Sequence, residues 1–171
     1  MILSCFSMQN IPARYPIDNV TIYAVHHQLR RYRMMNYLKA FFSGFVSTLI
    51  FHQGLIAILH ATGFIQRVPY SLDPTAPFQI PQVISLAFWG GVWGILLWLV
   101  IRRMKHLKYW LTALAFGAFL PSIVAWFVVS PLKGLPVAGG WKPANLMMAL
   151  LLNGAWGIGV ALLMKISIGK R

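Results

Sequence analysis

Two histidines and a glutamine interrupt an otherwise apolar stretch, FHQGLIAILH, at residues 51–60. An imidazole can ligate a metal, transfer a proton or bind a solute, and a carboxamide can orient a solute by hydrogen bonding. In a lipid-facing stretch, such side chains form either a binding site or hydrogen-bonded contacts between helices. The chemistry open to His52, Gln53 and His60 therefore depends on the element that carries them.

The composition is typical of a protein that lies in the lipid bilayer. The 171 residues are 58% hydrophobic and only 10% charged, whereas soluble domains carry about 25% charged residues. The net charge of +13 does not indicate nucleic-acid binding, because the basic residues stand between apolar stretches and not on one solvated face. The single cysteine, Cys5, excludes an intramolecular disulfide and a multi-cysteine metal site.

Four apolar stretches are long enough to cross the membrane, for which a helix needs about 20 residues. We predict an all-α membrane protein whose four-helix transmembrane bundle occupies residues 35–171, with helices at about 40–62, 81–101, 109–129 and 144–164. Twelve of the 15 Lys and Arg residues fall on the side of the N-terminus. Because basic segments stay on the cytoplasmic side, both termini are expected to be cytoplasmic.

Residues 1–34 are more polar and lead into the basic cluster HHQLRRYRMM at residues 26–35. Two interpretations of this segment stay open. In the first it is a cytoplasmic tail, folded or disordered, whose arginines bind anionic lipid headgroups with about 1 kcal/mol per charge. In the second, translation starts at Met34 or Met35 and the preceding residues are a mis-assigned start.

A short internal similarity indicates a duplication. Residues 91–95 read GVWGI, and residues 154–158 read GAWGI. This similarity predicts two tandem helical hairpins in a parallel repeat, related by an axis along the membrane normal. The alternative is chance likeness between helices rich in Gly and Trp. Small residues at four-residue spacing predict a compact bundle, and Pro121 predicts a kink because it removes a backbone hydrogen bond.

The candidate site is a polar cluster at the middle of the membrane. His52, Gln53 and Asn153 fall near the centres of their predicted helices, at about the level of Pro121, whereas His60 falls near the outer interface. One interpretation is interhelical hydrogen bonding, which contributes about 0.6–2 kcal/mol per bond. The other is a site for a solute or a proton. We favour the structural interpretation.

No catalytic motif accompanies this cluster. The chain has no HExxH, no paired carboxylates and no glycine-rich phosphate loop, so we predict no catalytic residues and no enzyme activity. A bis-histidine haem needs two imidazoles that face each other, but His52 and His60 lie on one helix, eight residues apart. We therefore predict no cofactor and no metal site.

From Met35 onward the chain resembles a family of small four-helix bacterial inner-membrane proteins of unknown function. The resemblance lies in FHQGLIAILH, PQVISLAFWGGVWGI, AWFVVSPLKGLP and LLNGAWGIG, and it implies a multi-pass protein of the bacterial inner membrane. The function favoured is that of an accessory or structural membrane protein, in a homo-oligomer or in a larger membrane complex. The alternative is a small permease or channel-like bundle with its site at His52, Gln53 and Asn153.

Overall fold

The computed structural model describes residues 19–76 and 78–168, with side chains from His26 onward. The chain divides into two compact units, Met1–Met34 and Met35–Arg171. Helix α1 runs over Asn19–Ser47, so the basic cluster that the sequence assigns to a tail is helical. No proline interrupts this stretch, and its residues are ordinary helix formers. Both interpretations of residues 1–34 stay predictions, and residues 1–18 lie outside the part of the chain that the structure describes.

Among the described residues, four spans are long and apolar enough to cross a membrane: His26–Ala61, Gln82–Ile101, His106–Leu132 and Pro143–Ile168. In the first, α1 continues through a π-helical segment, Thr48–His52, into α2, Gln53–Ala61. The second span is α3, Gln82–Ile101. In the third, α4, His106–Val124, continues through a second π-helical segment, Ala125–Val129, into α5, Ser130–Leu132. The fourth is α6, Pro143–Ile168. The predicted all-α four-helix bundle is confirmed.

The connections carry the remaining regular structure. Strands β1, Pro74–Thr75, and β2, Ile80–Pro81, pair antiparallel in the loop before α3. The amide groups at the start of α3 bond to this same loop, Gln82 N–H to the Asp73 carbonyl and Val83 N–H to the Ser71 carbonyl. A 3-10 helix, Val137–Trp141, precedes α6. The loop before α3 therefore caps the second span through backbone hydrogen bonds.

Glycines bring the first two spans into backbone contact. A Cβ atom added to Gly94 would lie 2.6 Å from the Ala40 carbonyl oxygen and 2.9 Å from Gly44 Cα. One added to Gly44 would meet the Gly90 carbonyl oxygen. Since Ala40 meets Gly94 and Thr48 meets Gly90, the two spans run antiparallel. This close approach supplies the packing that lipid-embedded helices need, because lipid provides no hydrophobic force between them.

The third and fourth spans repeat the same contacts. A Cβ atom added to Gly157 would meet the Ala113 carbonyl oxygen and would lie 2.9 Å from Gly117 Cα. One added to Gly117 would lie 2.7 Å from the Asn153 carbonyl oxygen. Ala113, Gly117, Asn153 and Gly157 thus take the places that Ala40, Gly44, Gly90 and Gly94 hold in the first hairpin. The predicted pair of tandem hairpins is present in the helix contacts as well as in the sequence.

The first and fourth spans join the two hairpins. Ser47 Oγ donates to the Trp156 carbonyl at 2.7 Å, and Trp156 Nε1 donates to the Gly44 carbonyl at 3.1 Å. Further along, Lys39 Nζ donates to the Ser167 carbonyl. The buried apolar core includes residues of all four spans: Ala40, Leu97, Trp98, Ile101, Ala113, Phe116, Trp156, Val160, Ala161 and Met164. The first span is therefore in contact with both the second and the fourth.

Candidate functional site

Asn153 is held by the third span. Its Nδ2 donates a hydrogen bond of 2.9 Å to Ser122 Oγ, and Ser122 is fully buried beside Pro121. The Asn153 backbone lies against Gly117, whose missing side chain lets the two helices approach. The bond thus joins two helices at the level of Pro121. Pro121 lies inside α4, and the kink expected there stays a prediction.

Gln53 takes its hydrogen bond from a loop. Its Oε1 accepts from the backbone N–H of Tyr70 at 2.9 Å, and the Gln53 side chain is buried. Tyr70 has a φ of 53°, a left-handed conformation that is uncommon for a residue other than glycine. The loop between the first and second spans is therefore folded back along the first span, and Gln53 is one of its anchors.

The same tyrosine makes a second contact, at the π-helical segment. Gln53 N–H donates to the Thr48 carbonyl, five residues back, where an α-helix would bond to Leu49. The Leu49 carbonyl thereby loses this α-helical amide, and the Tyr70 hydroxyl donates to it at 2.9 Å. Tyr70 thus bonds to the first span through both its backbone N–H and its side-chain hydroxyl. π-Helical segments often occur at functional sites, where they change the direction of side chains.

His52 lies between these two anchors. Its ring Nδ1 is buried and has no hydrogen-bond partner, one of two such side-chain nitrogens among the described residues; the other is Arg102 Nε. Arg67 lies in the loop that the two Tyr70 hydrogen bonds hold beside His52, so its positive charge is near the ring. Desolvation lowers the pKa of the Arg67 guanidinium below its ordinary value, although the side chain as a whole is exposed. An unpartnered imidazole nitrogen therefore lies within electrostatic range of a partly desolvated cation.

The level of His52 follows from the packing of the first hairpin. Gly91, at the middle of the second span, faces the ring of Phe41, and its neighbour Gly90 faces Gly44. His52 follows Gly44 by eight residues, or about 12 Å of helix. Relative to the second span, His52 and Gln53 therefore lie near the end where that span begins, beside the loop; their place at the midplane of the membrane stays a prediction.

The hydrogen bonds give the candidate residues separate surroundings. Asn153 bonds to Ser122, Gln53 bonds to Tyr70, and His52 lies beside the loop that contains Arg67. His60, which the sequence placed at the outer interface, is exposed, and its Nδ1 lies 3.3 Å from the Ile65 carbonyl. Within residues 19–76 and 78–168, no three His, Cys, Asp or Glu side chains come together as metal ligands.

Comparisons with protein-family models, with curated proteins and with solved structures found no match for this chain. The chemistry open to the site therefore rests on its own geometry. The side-chain amide of Asn153 can hold two helices together, and that of Gln53 can hold the loop against the first span. His52 and Arg67 can instead offer hydrogen-bond donors and positive charge to an anion.

Three further residues contribute to the site, Ser122, Tyr70 and Arg67, and the sequence indicates only the first of them. Ser122 could be found because it neighbours Pro121, and hydroxyl groups often compensate the backbone near a proline in membrane helices. Tyr70 has no such signal, because it lies in a loop and its left-handed backbone is typical of glycine or asparagine. The sequence shows Arg67 only as one basic residue between the first two spans, since no motif connects it with His52.

Proposed function

We propose that this protein is a non-catalytic accessory or structural protein of the membrane, and that its polar residues within the spans stabilise the bundle. The observation that carries this proposal is the Asn153–Ser122 hydrogen bond, which joins the third and fourth spans. The Ser47–Trp156 bond likewise joins the first and fourth spans, and the Gln53–Tyr70 bond joins the first span to its loop. Polar groups with such partners contribute packing specificity and a modest stability gain.

Two variants separate this role from transport. We expect Asn153→Leu to lower the expression and the thermal stability of the protein in detergent, because Ser122 loses its partner. Leu151→Ala is a matched control on the same helix, at an exposed position, and we expect it to leave stability nearly unchanged. An Asn153→Leu variant with native stability but altered solute flux in proteoliposomes would overturn the proposal.

The orientation and the location belong to the same proposal. The distribution of Lys and Arg supports cytoplasmic N- and C-termini in a bacterial inner membrane. His26, Arg30 and Arg33 recur along one face of α1 at helical spacing, and together with His27 and Leu29 they line a cavity. This basic face supports anionic lipid headgroups as a partner on the cytoplasmic side. A homo-oligomer or a larger membrane complex would cover the bundle further.

A small permease or channel-like bundle is the second candidate, and one observation favours it. The buried Nδ1 of His52 has no partner, and an ionisable group within a span is a candidate for solute or proton handling. Proteoliposomes that contain the purified protein test this function directly. We expect their proton permeability to equal that of protein-free vesicles. A flux that His52→Leu abolishes would instead favour the permease.

A further inference from the structure

We propose that His52 and Arg67 form a binding site for a phosphate group, beneath the loop that Tyr70 fastens to the first span. This inference goes beyond the proposed structural role, because it assigns a ligand to a part of the molecule that the bundle contacts do not require. It rests on the surroundings of these residues and on the fold of the loop.

His52 has unused hydrogen-bonding capacity. A buried polar atom without a partner costs free energy, so most such atoms in proteins bind a side chain, a water or a ligand. His52 Nδ1 is such an atom. As the N–H tautomer of a neutral ring, it can donate one hydrogen bond to an oxygen. A phosphate oxygen would satisfy it.

The charge of Arg67 has no acidic partner among the described residues. Asp73 is the one acidic residue between positions 19 and 168, and its carboxylate accepts the hydroxyl of Ser71. No ion pair is found within the described ranges, so the Arg67 guanidinium has no carboxylate partner there. A guanidinium presents five donors in a planar arrangement that fits a phosphate.

The backbone around His52 and Arg67 is held in an irregular conformation. The π-helical segment Thr48–His52 ends at His52 itself. Tyr70, three residues after Arg67, bonds through its N–H to Gln53 and through its hydroxyl to Leu49. Its strained left-handed backbone is the kind of feature that persists where the surroundings fix a loop for function. These contacts hold the Arg67 loop beside His52.

The level of the site favours a phosphate as the ligand. The loop joins two membrane-spanning helices and lies at the start of the second span. Phospholipid phosphates occupy this boundary of the bilayer, and free phosphate reaches it from the aqueous side. Both sources offer the same group to Arg67 and His52, and an experiment with two probes distinguishes them.

The test uses the full chain, purified in a non-ionic detergent and stripped of lipid. In one arm inorganic phosphate is titrated by calorimetry; in the other, phosphatidylglycerol or phosphate-free diacylglycerol is added and bound lipid is counted by native mass spectrometry. We expect Arg67→Gln to weaken binding by about tenfold or more, because it removes charge-assisted hydrogen bonds. His52→Leu should weaken binding by a smaller factor. Lys133→Gln, in the other outer loop, should leave it unchanged.

The arms give distinct outcomes. Binding of inorganic phosphate that Arg67→Gln weakens supports a site for the free ion, and a preference for phosphatidylglycerol over diacylglycerol that the same variant removes supports a lipid headgroup. Arg67→Lys keeps the charge and replaces Arg67→Gln if that variant does not fold; it should bind more weakly than the parent. The proposal is overturned if neither probe binds, if Lys133→Gln weakens binding as much as the Arg67 variant, or if His52→Leu has no effect. A failure of the structural role of Asn153 would leave all these results unaffected.

Discussion

Asn153 Nδ2 lies 2.9 Å from Ser122 Oγ, and this hydrogen bond connects the fourth span with the third beside Pro121. Ser122 is fully buried, so water does not replace the lost partner when Asn153 is truncated. We expect Asn153→Ala to lower the free energy of unfolding by about 0.6–2 kcal/mol, in line with hydrogen bonds between membrane helices. Unfolding in mixed micelles with increasing fractions of an ionic detergent measures this difference.

The double variant isolates the bond itself. If Asn153 and Ser122 stabilise the bundle through each other, Ser122→Ala should cost little more in the background of Asn153→Ala. The coupling energy should then be about 0.6–1.7 kcal/mol. Additive effects of the two changes would assign the loss to general packing and not to the hydrogen bond.

The glycine contacts of the two hairpins predict equal sensitivity to a single methyl group. Gly157→Ala would press a Cβ atom against the Ala113 carbonyl, and Gly94→Ala would do the same against Ala40. Overpacking of this kind costs about 1–3 kcal/mol, so both variants should unfold at a clearly lower detergent fraction. A large effect in one hairpin and none in the other would contradict the repeat of contacts.

Gly54 supplies the matched control. It lies in α2 of the first span, and a Cβ atom built there meets nothing within 4 Å apart from its chain neighbours and the backbone of its own helix. Gly54→Ala should therefore leave stability unchanged or raise it by up to about 1 kcal/mol, because alanine favours the helix more than glycine does. The same unfolding measurement applies, and a loss as large as that of Gly157→Ala would show that the contacts do not decide the outcome.

The fold was predictable because it depends on properties that sum over many residues. Four apolar stretches of sufficient length require four helices, and the five-residue likeness around Gly91 and Gly154 marked the two hairpins. The partners of single polar groups were not predictable in this way. Gln53 looked like a residue for a contact between helices, but it bonds to Tyr70, because the loop folds back along the first span and neither hydropathy nor periodicity encodes that path.

The levels of the candidate residues illustrate the same limit. The sequence places His52 near the middle of a helix predicted at about 40–62, and this level in the membrane stays a prediction. The packing of Gly44 against Gly90 and Gly94 relates His52 to the start of the second span. The first span extends over 36 residues, His26–Ala61, which is longer than a membrane requires. Its sequence alone therefore does not define which residue lies at the middle of the membrane. Only the contacts with the shorter second span relate the residues of the first span to another helix, and these contacts are a property of the folded chain.

The hydrogen bonds of Tyr70 predict the stability of the loop. Tyr70→Phe removes the hydroxyl that donates to the Leu49 carbonyl and leaves the backbone bond to Gln53 in place. A net hydrogen bond contributes about 0.5–1.5 kcal/mol, so amide exchange in residues 66–73 should become about two- to tenfold faster. Hydrogen exchange followed by mass spectrometry measures this. Tyr32→Phe, at an exposed position of α1, should change nothing in the loop.

The proposed orientation predicts at which positions an introduced cysteine is accessible from outside the cell. Lys133 lies in the connection between the third and fourth spans, and Arg103 lies between the second and third. Because basic residues collect on the cytoplasmic side, Lys133 should lie outside and Arg103 inside. In a Cys5→Ser background, a membrane-impermeant maleimide should label Lys133→Cys in intact cells and label Arg103→Cys only after lysis. Labelling of Arg103→Cys in intact cells, with Lys133→Cys protected, would reverse the orientation and place both termini outside.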